Sequence, residues 1–314
     1  MLRALSLLGR RLAAYKLVRR QRETAHVKLE RVRREYAGKI AAAASLRSRR
    51  LVDALAAVPR EAFLGPGPWQ IKRADETGHD YQTTPDDDPR HVYDNVLVAL
   101  DAERNLNNGE PAFVLRCLDD LDLAPGDRFL HVGCGTGYYT AIAALAVAGG
   151  TVVGLELDPG LAERARQNLS AWPGVSIEAV DASEAIAESF DAILVNAGAT
   201  EPLPLWLDHL RNAGRLLVPM TVDLPEPWAG IGAGQMLLVN RQEEEYSARF
   251  VRPVAVFHCA GARSPTGVGL LRQAFLQGGY EHVCSLRRDE HDWNPSCWLH
   301  GHRFCLGTSP TAGR

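Results

Sequence analysis

A glycine-rich turn between a buried strand and a helix is the first feature of the sequence that could do chemistry. In the stretch FLHVGCGTGYYTAI (residues 129–142), an apolar run leads into Gly133, Gly135 and Gly137, and a helix-forming segment follows. Such a turn lets a ligand approach bare backbone, and the start of the helix offers free N–H groups. A dinucleotide-binding fingerprint needs glycine where the chain has Tyr138, and a P-loop needs a Lys-Ser/Thr pair that this turn lacks. Neither phosphate-binding motif fits the turn.

An acidic residue ends the next predicted strand. The strand TVVGLELD places Glu156 at its carboxyl end, about 20 residues beyond the turn, where doubly wound folds hold the carboxylate that binds ribose. A carboxylate accepts two hydroxyl hydrogen bonds at once, which suits a ribose diol. The alternative is an ordinary solvated acid at a strand end. Because the turn, the spacing and the strand end agree, the sequence favours ribose binding by Glu156.

Strand and helix patterns alternate through the middle of the chain. This alternation implies a parallel sheet with helices on both faces, and QMLLVNRQ and RFVRPVAVFHC are typical of an antiparallel pair that closes it. We therefore predict a doubly wound, mostly parallel, seven-stranded α/β sheet. The predicted strands are 128–133, 151–157, 175–180, 190–196 and 214–220, and the predicted helices between them are 138–148, 160–171 and 203–211.

Length and composition indicate a globular protein. The 314 residues are enough for one large α/β domain with additions or for two modest domains. The six cysteines lack the spacing of a small secreted domain, which favours free thiols and a reducing, cytoplasmic compartment. No apolar run is long enough to cross a bilayer, so we predict no transmembrane segment.

The beginning of the chain is strongly basic. Residues 1–50 hold 15 Lys and Arg against 3 acidic residues, although the whole chain has a net charge of −3. This segment is compatible with a transit peptide, with a basic helix touching RNA, membrane or an acidic partner, or with a solvated accessory helix. Of these ligands we expect an acidic partner rather than nucleic acid. We predict a basic helical segment (1–48), a main domain (49–256) and a C-terminal extension (257–314).

Two further segments bear on organisation. Residues 24–57 follow a helical pattern that ends at the Pro/Gly cluster of VPREAFLGPGP. Residues 72–92 are polar and acidic without periodicity, and we predict an exposed loop there.

Several motifs together resemble one enzyme family. G-x-G-x-G followed by E-x-D-P is similar to class I S-adenosylmethionine-dependent methyltransferases. The VPREAF segment and the GY after the turn narrow the resemblance to the protein-L-isoaspartate O-methyltransferases, with order and spacing kept over roughly 50–255. The matching segments are LVDALAAVPREAFLGPG (51–67), VYD (92–94), NGEP (108–111), LHVGCGTGYYTA (130–141), GLELDPGLAERARQNL (154–169), FDAILVNAGATEPLP (190–204) and AGRLLVPM (213–220).

The resemblance implies a Rossmann-like methyltransferase sheet and S-adenosyl-L-methionine as cofactor. The glycine turn would hold the amino-acid and ribose end of that cofactor. Gly133, Gly135 and Gly137 would line this end, and Glu156 would bind the ribose.

The same resemblance assigns roles at the ends of later strands. Asp181 falls where such enzymes contact the adenine amino group, and its position also suits a helix N-cap, a role that can coexist. Asn196 and Ala197 would border the methyl group, although an asparagine that ends a strand is also a common turn residue. Tyr138 or Tyr139 would either cover the sulfonium by a cation–π contact or pack at the start of the helix.

Position 131 departs from the family pattern. His131 stands where relatives usually carry a glutamate that supports the turn or the ammonium group of the cofactor. Histidine is mostly neutral near pH 7 and can donate or accept, so it can still support the turn without a fixed negative charge. A catalytic histidine is the alternative, but a strand-interior position would bury the ring below the site.

The segment before Pro111 departs more seriously. Family members place a serine or threonine two residues before this proline, and here that position is Gly109 in the run NNGEP. A carboxylate acceptor is already ionised at neutral pH and needs no general base. Asn107 or Asn108 could orient it through amide N–H donors, although NNG also suits a plain turn. Carboxyl methylation remains the favoured chemistry, and isoaspartyl specificity stays open.

The end of the chain carries a group of soft ligands. Cys297, His300, His302 and Cys305 follow C-x2-H-x-H-x2-C spacing, and His291, Cys284 and Cys259 occur nearby. Four such groups could form a tetrahedral zinc site. Strand alternation would instead split them between two faces unless the chain turns at Gly301. We therefore assign no metal from the sequence, and a substrate-covering or dimer-forming extension is the competing role.

The function predicted from the sequence is S-adenosylmethionine-dependent methylation of an aspartyl-type carboxylate in a protein or peptide. The resemblance implies that the methyl ester then collapses to a succinimide. We predict Asn107, Asn108 and Asn196 as catalytic residues. The alternatives are a methyltransferase for a different acceptor and a catalytically silent cofactor-binding or interaction protein.

Overall fold

The computed structural model describes residues 28–73, 81–226, 228 and 230–310. The chain divides into two compact units, Met1–Ala112 and Phe113–Arg314. This division does not coincide with the boundaries predicted at residues 49 and 257. Most of the basic N-terminal segment lies outside the described residues.

Two helices begin the described part of the first unit. Residues 28–43 form α1, and Arg49–Ala57 form α2. The continuous helical pattern predicted over 24–57 is therefore interrupted. Ser45 has a left-handed φ of 50°, and the Ser48 hydroxyl accepts a hydrogen bond from the Leu51 N–H at 3.4 Å, which caps α2.

A small antiparallel sheet completes the first unit. It includes Lys72, Arg73, Gln82 and Thr83 of the predicted loop over 72–92, and residues 74–80 of that loop lie outside the described residues. Its order is β2-β1-β3-β4, and 3₁₀ turns occur at Arg60–Phe63 and Pro89–Val92. The strands β1 and β2 are short and largely exposed, so they carry no apolar alternation that a sequence pattern could reveal. The strands are β1 (Gln70–Arg73), β2 (Gln82–Thr83), β3 (Val96–Asp101) and β4 (Leu106–Asn107).

The second unit contains a ten-stranded sheet in the order β13-β14-β12-β11-β10-β9-β8-β5-β6-β7. The strands β5 to β9 pair in parallel, and the pairs from β9–β10 outward are antiparallel. The predicted α/β sheet and its antiparallel closing pair β10–β11 are confirmed. The strands β5 to β11 make up the predicted seven, and the C-terminal extension adds three more strands to the same sheet. The strands are β5 (Arg128–Val132), β6 (Thr151–Glu156), β7 (Val175–Ala179), β8 (Phe190–Val195), β9 (Leu210–Asp223), β10 (Ile231–Gln242), β11 (Glu245–Phe257), β12 (Ser285–Arg287), β13 (Cys297–His300) and β14 (Cys305–Gly307).

Helices cover both faces of this sheet. On β5, Leu130 packs in a buried cluster with Trp206 of α6 and Leu271 of α7, whereas His131 on the opposite face contacts Thr140 of α4. Among the helices of the described residues, none is both long and apolar enough to span a bilayer. The helices are α3 (Pro111–Asp120), α4 (Tyr138–Ala146), α5 (Pro159–Leu169), α6 (Pro204–Asp208) and α7 (Pro265–Gln277).

Candidate active site

The candidate site lies where the parallel strands β5 and β8 end. The chain moves from β5 outward through β6 and β7 and then returns as β8 on the other side of β5, so the strand order reverses there. Open α/β sheets bind ligands in the crevice at such a reversal. Gly133 follows β5 and Asn196 follows β8, and a Cβ on Gly133 would lie 3.5 Å from the Asn196 carbonyl oxygen. The glycine turn and the end of β8 therefore share one edge.

The backbone N–H groups of the glycine turn already donate within the protein. Those of Gly133 and Cys134 donate to the Leu155 carbonyl at 2.8 and 3.2 Å, and that of Gly137 donates to the Cys134 carbonyl at 3.0 Å. The Gly135 N–H donates to the Glu156 carboxylate at 2.8 Å. These four N–H groups precede α4, and each is engaged within the protein. A turn whose donors are engaged offers little to a phosphate but still permits close approach of a ligand.

Glu156 connects the turn to the end of β6. Its Oε2 accepts from the Gly135 N–H at 2.8 Å, and its Oε1 accepts from the Asp158 N–H at 3.0 Å. The side chain is half-buried, so the carboxylate is held in place and remains partly accessible. Burial and the nearby Glu156 charge raise the pKa of the Cys134 thiol well above its usual range, so this thiol stays neutral beneath the turn.

Leu157 is a candidate site residue that the sequence analysis missed. It directly follows Glu156, and it is 54% exposed, which is unusual for so large an apolar side chain. An exposed apolar surface beside a fixed carboxylate suits a ligand that carries a flat ring next to a diol. An apolar residue placed immediately after a strand-end acid was the available signal.

The last glycine and the tyrosines of the turn are packing residues. Gly137 has a φ of +92°, and a Cβ there would lie 2.6 Å from Leu169 Cδ1 of α5. Tyr138 is 2% exposed, and its ring packs edge-on against Tyr139 at 5.0 Å between centroids. This geometry favours the packing alternative over a cation–π cover of the sulfonium.

His131 is buried below the turn. It is 1% exposed, and its Nδ1 lies 2.9 Å from the Thr140 hydroxyl. Burial lowers the pKa of His131 to about 4, so the ring is neutral at pH 7. Within the described residues its Nε2 has no hydrogen-bond partner. The position of the usual family acid is thus filled by a neutral ring, and its depth argues against the catalytic alternative.

Asp181 lies beside a wall formed by residues of the C-terminal extension. Its Oδ1 accepts from the Ser183 N–H at 2.9 Å, which stabilises a turn at residues 182–184. No helix follows this turn in the described residues before β8, so the predicted helix N-cap is wrong. A Cβ on Gly261 would lie 1.8 Å from Ser183 Oγ and 3.1 Å from Asp181 Oδ2. The adjoining segment is held by Cys259 N–H, which donates to the Gly198 carbonyl at 2.9 Å. Residues 259–262 therefore lie next to Asp181 at this edge of the sheet. This contact joins segments that are far apart in sequence, so no local sequence pattern indicates it.

The two asparagines before Pro111 differ in their surroundings. Asn108 is 9% exposed, and its Oδ1 accepts from the Val98 N–H at 3.1 Å and from Arg60 Nη2 at 3.2 Å. Asn107 is half-exposed, and its Oδ1 accepts from the Gly109 N–H at 2.9 Å. Gly109 has a φ of +79°, a region that disfavours serine and threonine. The backbone conformation at position 109 is therefore consistent with glycine in place of the usual serine or threonine. Asn108 has a structural role, because its side chain holds Arg60 and the Val98 N–H.

Arg60 of the VPREAF segment organises the first unit. It is fully buried, and its guanidinium donates to the carbonyls of Val92, Asp94 and Val96 at 2.7, 3.0 and 2.6 Å, besides Asn108. A planar guanidinium with five donors suits this many fixed acceptors. No sequence pattern indicates that this arginine is buried, because most of its acceptors are backbone carbonyl groups.

The soft ligands near the end of the chain meet in a different combination from the predicted one. His291, Cys297, His300 and Cys305 each place one ligand atom within 4.8 Å of the others. His302 is exposed and is not part of this group. The predicted condition is met, because the chain turns between β13 and β14, where the Gly301 N–H donates to the Phe304 carbonyl at 2.9 Å.

Comparison with known proteins places this chain in a family. The sequence model for protein-L-isoaspartate(D-aspartate) O-methyltransferase (PCMT) matches residues 81–231. A protein-L-isoaspartate O-methyltransferase from Methylorubrum extorquens is 32% identical, with 68% of this chain and 81% of that protein covered. Protein-L-isoaspartate O-methyltransferase 1 from Geotalea uraniireducens is 30% identical over 70% of this chain and 89% of that protein.

Solved structures agree on the fold. A protein-L-isoaspartate O-methyltransferase superposes with a TM-score of 0.54 at 19% identity, covering 77% of this chain and 69% of that one. A Plasmodium falciparum protein assigned to the same activity, in complex with S-adenosyl-L-homocysteine, also gives 0.54, at 16% identity over 73% of this chain and 98% of that one. With the sequence matches, these findings show that the chain belongs to the protein-L-isoaspartate(D-aspartate) O-methyltransferase family.

Proposed function

We propose that this chain is an S-adenosyl-L-methionine-dependent carboxyl O-methyltransferase whose acceptor is an aspartyl-type carboxylate in a protein or peptide. The observation that carries the proposal is the edge at the β5–β8 reversal, where Gly133, Asn196 and the fixed Glu156 carboxylate lie together in a chain of this family. The relatives named above carry this activity in their names, and their sequences match across most of their length.

The residues of the edge fit the cofactor. A carboxylate has about four acceptor sites, so Glu156 can bind ribose hydroxyls while it keeps its two N–H partners. Leu157 offers an apolar surface to the adenine, and Asp181, with one oxygen engaged by Ser183, offers the other to the adenine amino group. Gly133 and Gly135 permit the amino-acid end to approach the turn. Gly137 supports this arrangement by letting α4 and α5 pack closely.

Methyl transfer to a carboxylate requires little acid–base catalysis from the protein. When bound, S-adenosyl-L-methionine supplies an electrophilic methyl group: an acceptor oxygen bonds to its carbon as the sulfur–carbon bond breaks, and the electron pair remains on sulfur. The acceptor carboxylate is ionised at neutral pH, so no residue needs to remove a proton. The chain holds the acceptor carboxylate in a fixed, partly desolvated position from which it can reach the methyl group. Asn196 and Ala197 border the reacting groups.

The acceptor contacts differ from the family pattern. Gly109, in a left-handed conformation, replaces the usual hydroxyl residue, and the neighbouring side-chain donors are the amides of Asn107 and Asn108. Asn107 is the accessible candidate, because Asn108 is buried and already holds Arg60. The same departure favours a second candidate function, methylation of a different carboxylate acceptor.

Transfer of a radiolabelled methyl group tests the proposal. The full chain is incubated with labelled cofactor and either an isoaspartyl peptide or its aspartyl counterpart. We expect base-labile label in the isoaspartyl peptide. Base-labile label confined to other acceptors would support the second candidate. No transfer to any carboxylate, by protein that binds S-adenosylhomocysteine, would rule out both.

A further inference from the structure

A compact group of four soft ligands lies in the C-terminal extension, away from the site described above. This tail cluster consists of His291, Cys297, His300 and Cys305, whose ligand atoms all lie within 4.8 Å of one another. Cys297 Sγ is 3.6 Å from His291 Nε2, and the rings of His291 and His300 are 4.8 Å apart at 80°. Ligand atoms around a tetrahedral zinc ion are about 3.3 to 3.8 Å apart, given metal–ligand bonds of about 2.0 to 2.3 Å. We propose that the tail cluster binds one zinc ion.

The backbone builds this cluster through two irregularities. An unbroken strand would place Cys297 and His300 on opposite faces, because they are an odd number of residues apart. The pairing of β13 with β14 slips between Cys297 and Leu299, and such a bulge re-aims side chains to the same side. The following turn then brings Cys305 of β14 directly opposite His300. The chain thus departs from regular strand geometry at the positions that gather the ligands.

The ligands have the surroundings that metal-bound residues have. His291 Nδ1 lies 2.9 Å from the Asp289 carbonyl oxygen, which directs Nε2 toward Cys297. Metal-ligating histidines usually donate their second ring N–H to such an oxygen. In the described part of the chain, the buried Nδ1 of His300 has no hydrogen-bond partner. A buried polar atom left without a partner is costly, and a bound cation would satisfy it.

The donor set selects the metal and its role. Two thiolates and two imidazoles in tetrahedral arrangement are typical of zinc, and two thiolates neutralise its charge. Four protein ligands leave no open position for water or substrate, which indicates a structural ion. Five strands separate β14 from β5 in the sheet, so the ion would act on the extension and not on the cofactor edge. It would fasten the short strands β13 and β14 together and hold the preceding segment at His291.

Metal analysis of the full-length protein, purified with zinc and then desalted, tests the proposal. We expect one zinc per chain. Cobalt added to metal-free protein should give the visible absorption of tetrahedral cobalt with thiolate ligands. The double substitution Cys297→Ser with Cys305→Ser should abolish binding. The control substitutions His302→Asn, which removes the exposed histidine of the same sequence motif, and Cys284→Ser should retain it.

Three results would overturn the proposal. They are no stoichiometric zinc together with no tetrahedral cobalt spectrum, undiminished zinc in the double variant, or a disulfide between Cys297 and Cys305 in protein purified under reducing conditions. If the double variant does not fold, as judged by circular dichroism, the cobalt spectrum of the wild type decides. None of these measurements depends on methyl transfer, so their failure leaves the proposed function standing.

Discussion

Glu156 Oε2 accepts a hydrogen bond from the Gly135 N–H at 2.8 Å, and this bond ties the end of β6 to the turn that follows β5. The same carboxylate accepts from the Asp158 N–H through its other oxygen. Two fixed N–H donors orient the group before any ligand arrives. A ribose would therefore meet a carboxylate that loses little freedom on binding, which strengthens each hydrogen bond that it makes.

The substitution Glu156→Gln tests this role. Glutamine keeps the shape and one acceptor oxygen but loses the charge, and hydrogen bonds to charged groups contribute about 1.5 to 3 kcal/mol. We expect S-adenosylhomocysteine affinity, measured by titration calorimetry, to fall about tenfold to hundredfold. Glu163→Gln on the exposed face of α5 makes the same chemical change away from the edge and should bind like the wild type. Equal affinities for Glu156→Gln and Glu163→Gln would remove the ribose assignment.

Gly137→Ala tests the close packing of the turn against α5. The added Cβ would lie 2.6 Å from Leu169 Cδ1, in a backbone conformation with φ +92°. We expect a loss of about 2 to 4 kcal/mol in the free energy of unfolding, from left-handed strain plus overpacking. Gly149→Ala is the matched control, because Gly149 has φ +85° but nothing within 4 Å of a Cβ, so it should lose only about 1 to 2 kcal/mol. Similar losses in urea denaturation would mean that the contact with Leu169 adds nothing.

The lowered pKa of the buried His131 ring makes the stability of the fold depend on pH. Its pKa is about 4 in the folded chain and 6.5 for an ordinary histidine, so between these values the unfolded chain binds the extra proton. Its contribution is therefore complete above pH 6.5 and is lost as the pH falls toward 4, at most about 3 kcal/mol.

The substitution His131→Gln isolates this effect. The difference in unfolding free energy between wild type and His131→Gln should shrink as the pH is lowered through this window. His282 is the control, because its side chain is 74% exposed. The unfolding free energy of His282→Gln should change with pH in parallel with that of the wild type. A constant difference for His131→Gln would contradict the assignment of a neutral buried ring.

The two asparagines before Pro111 should separate stability from acceptor binding. Asn108→Ala would leave Arg60 Nη2 and the Val98 N–H without this acceptor, and we expect a loss of about 2 to 4 kcal/mol in unfolding free energy. Asn107→Ala should cost about 1 kcal/mol or less, since it removes bonds at a half-exposed turn. If Asn107 orients the acceptor, its substitution should raise the KM for peptide and leave S-adenosylhomocysteine affinity unchanged. Unchanged peptide kinetics would exclude Asn107 from the site.

Local rules were sufficient for much of the sheet. The sequence predicts a helix over 160–171, and α5 spans Pro159–Leu169. The N-cap of α5 is Asp158, whose Oδ1 accepts from the Leu161 N–H at 3.0 Å. The apolar runs of β5, β6 and β8 lie within a residue or two of their predicted bounds. These elements follow from helix capping and from the burial of apolar residues, and both depend on residues that are close in sequence.

The remaining features depend on contacts between distant segments. The bulge after Cys297 arises in the pairing of β13 with β14, and His291 approaches Cys297 from the segment before β13. Spacing alone therefore selected His302 wrongly. Gly261 lies against Ser183 because the extension returns over the sheet. The exposed strands β1 and β2 pair through their backbones, and backbone pairing leaves little trace in side-chain periodicity.

Calorimetric titration of S-adenosylhomocysteine into the full-length wild-type chain tests the central claim most directly. The arrangement of Glu156, Gly135 and Asn196 predicts saturable binding of one ligand per chain. An absence of binding heat over a range of temperatures, in protein that still unfolds cooperatively, would contradict the account.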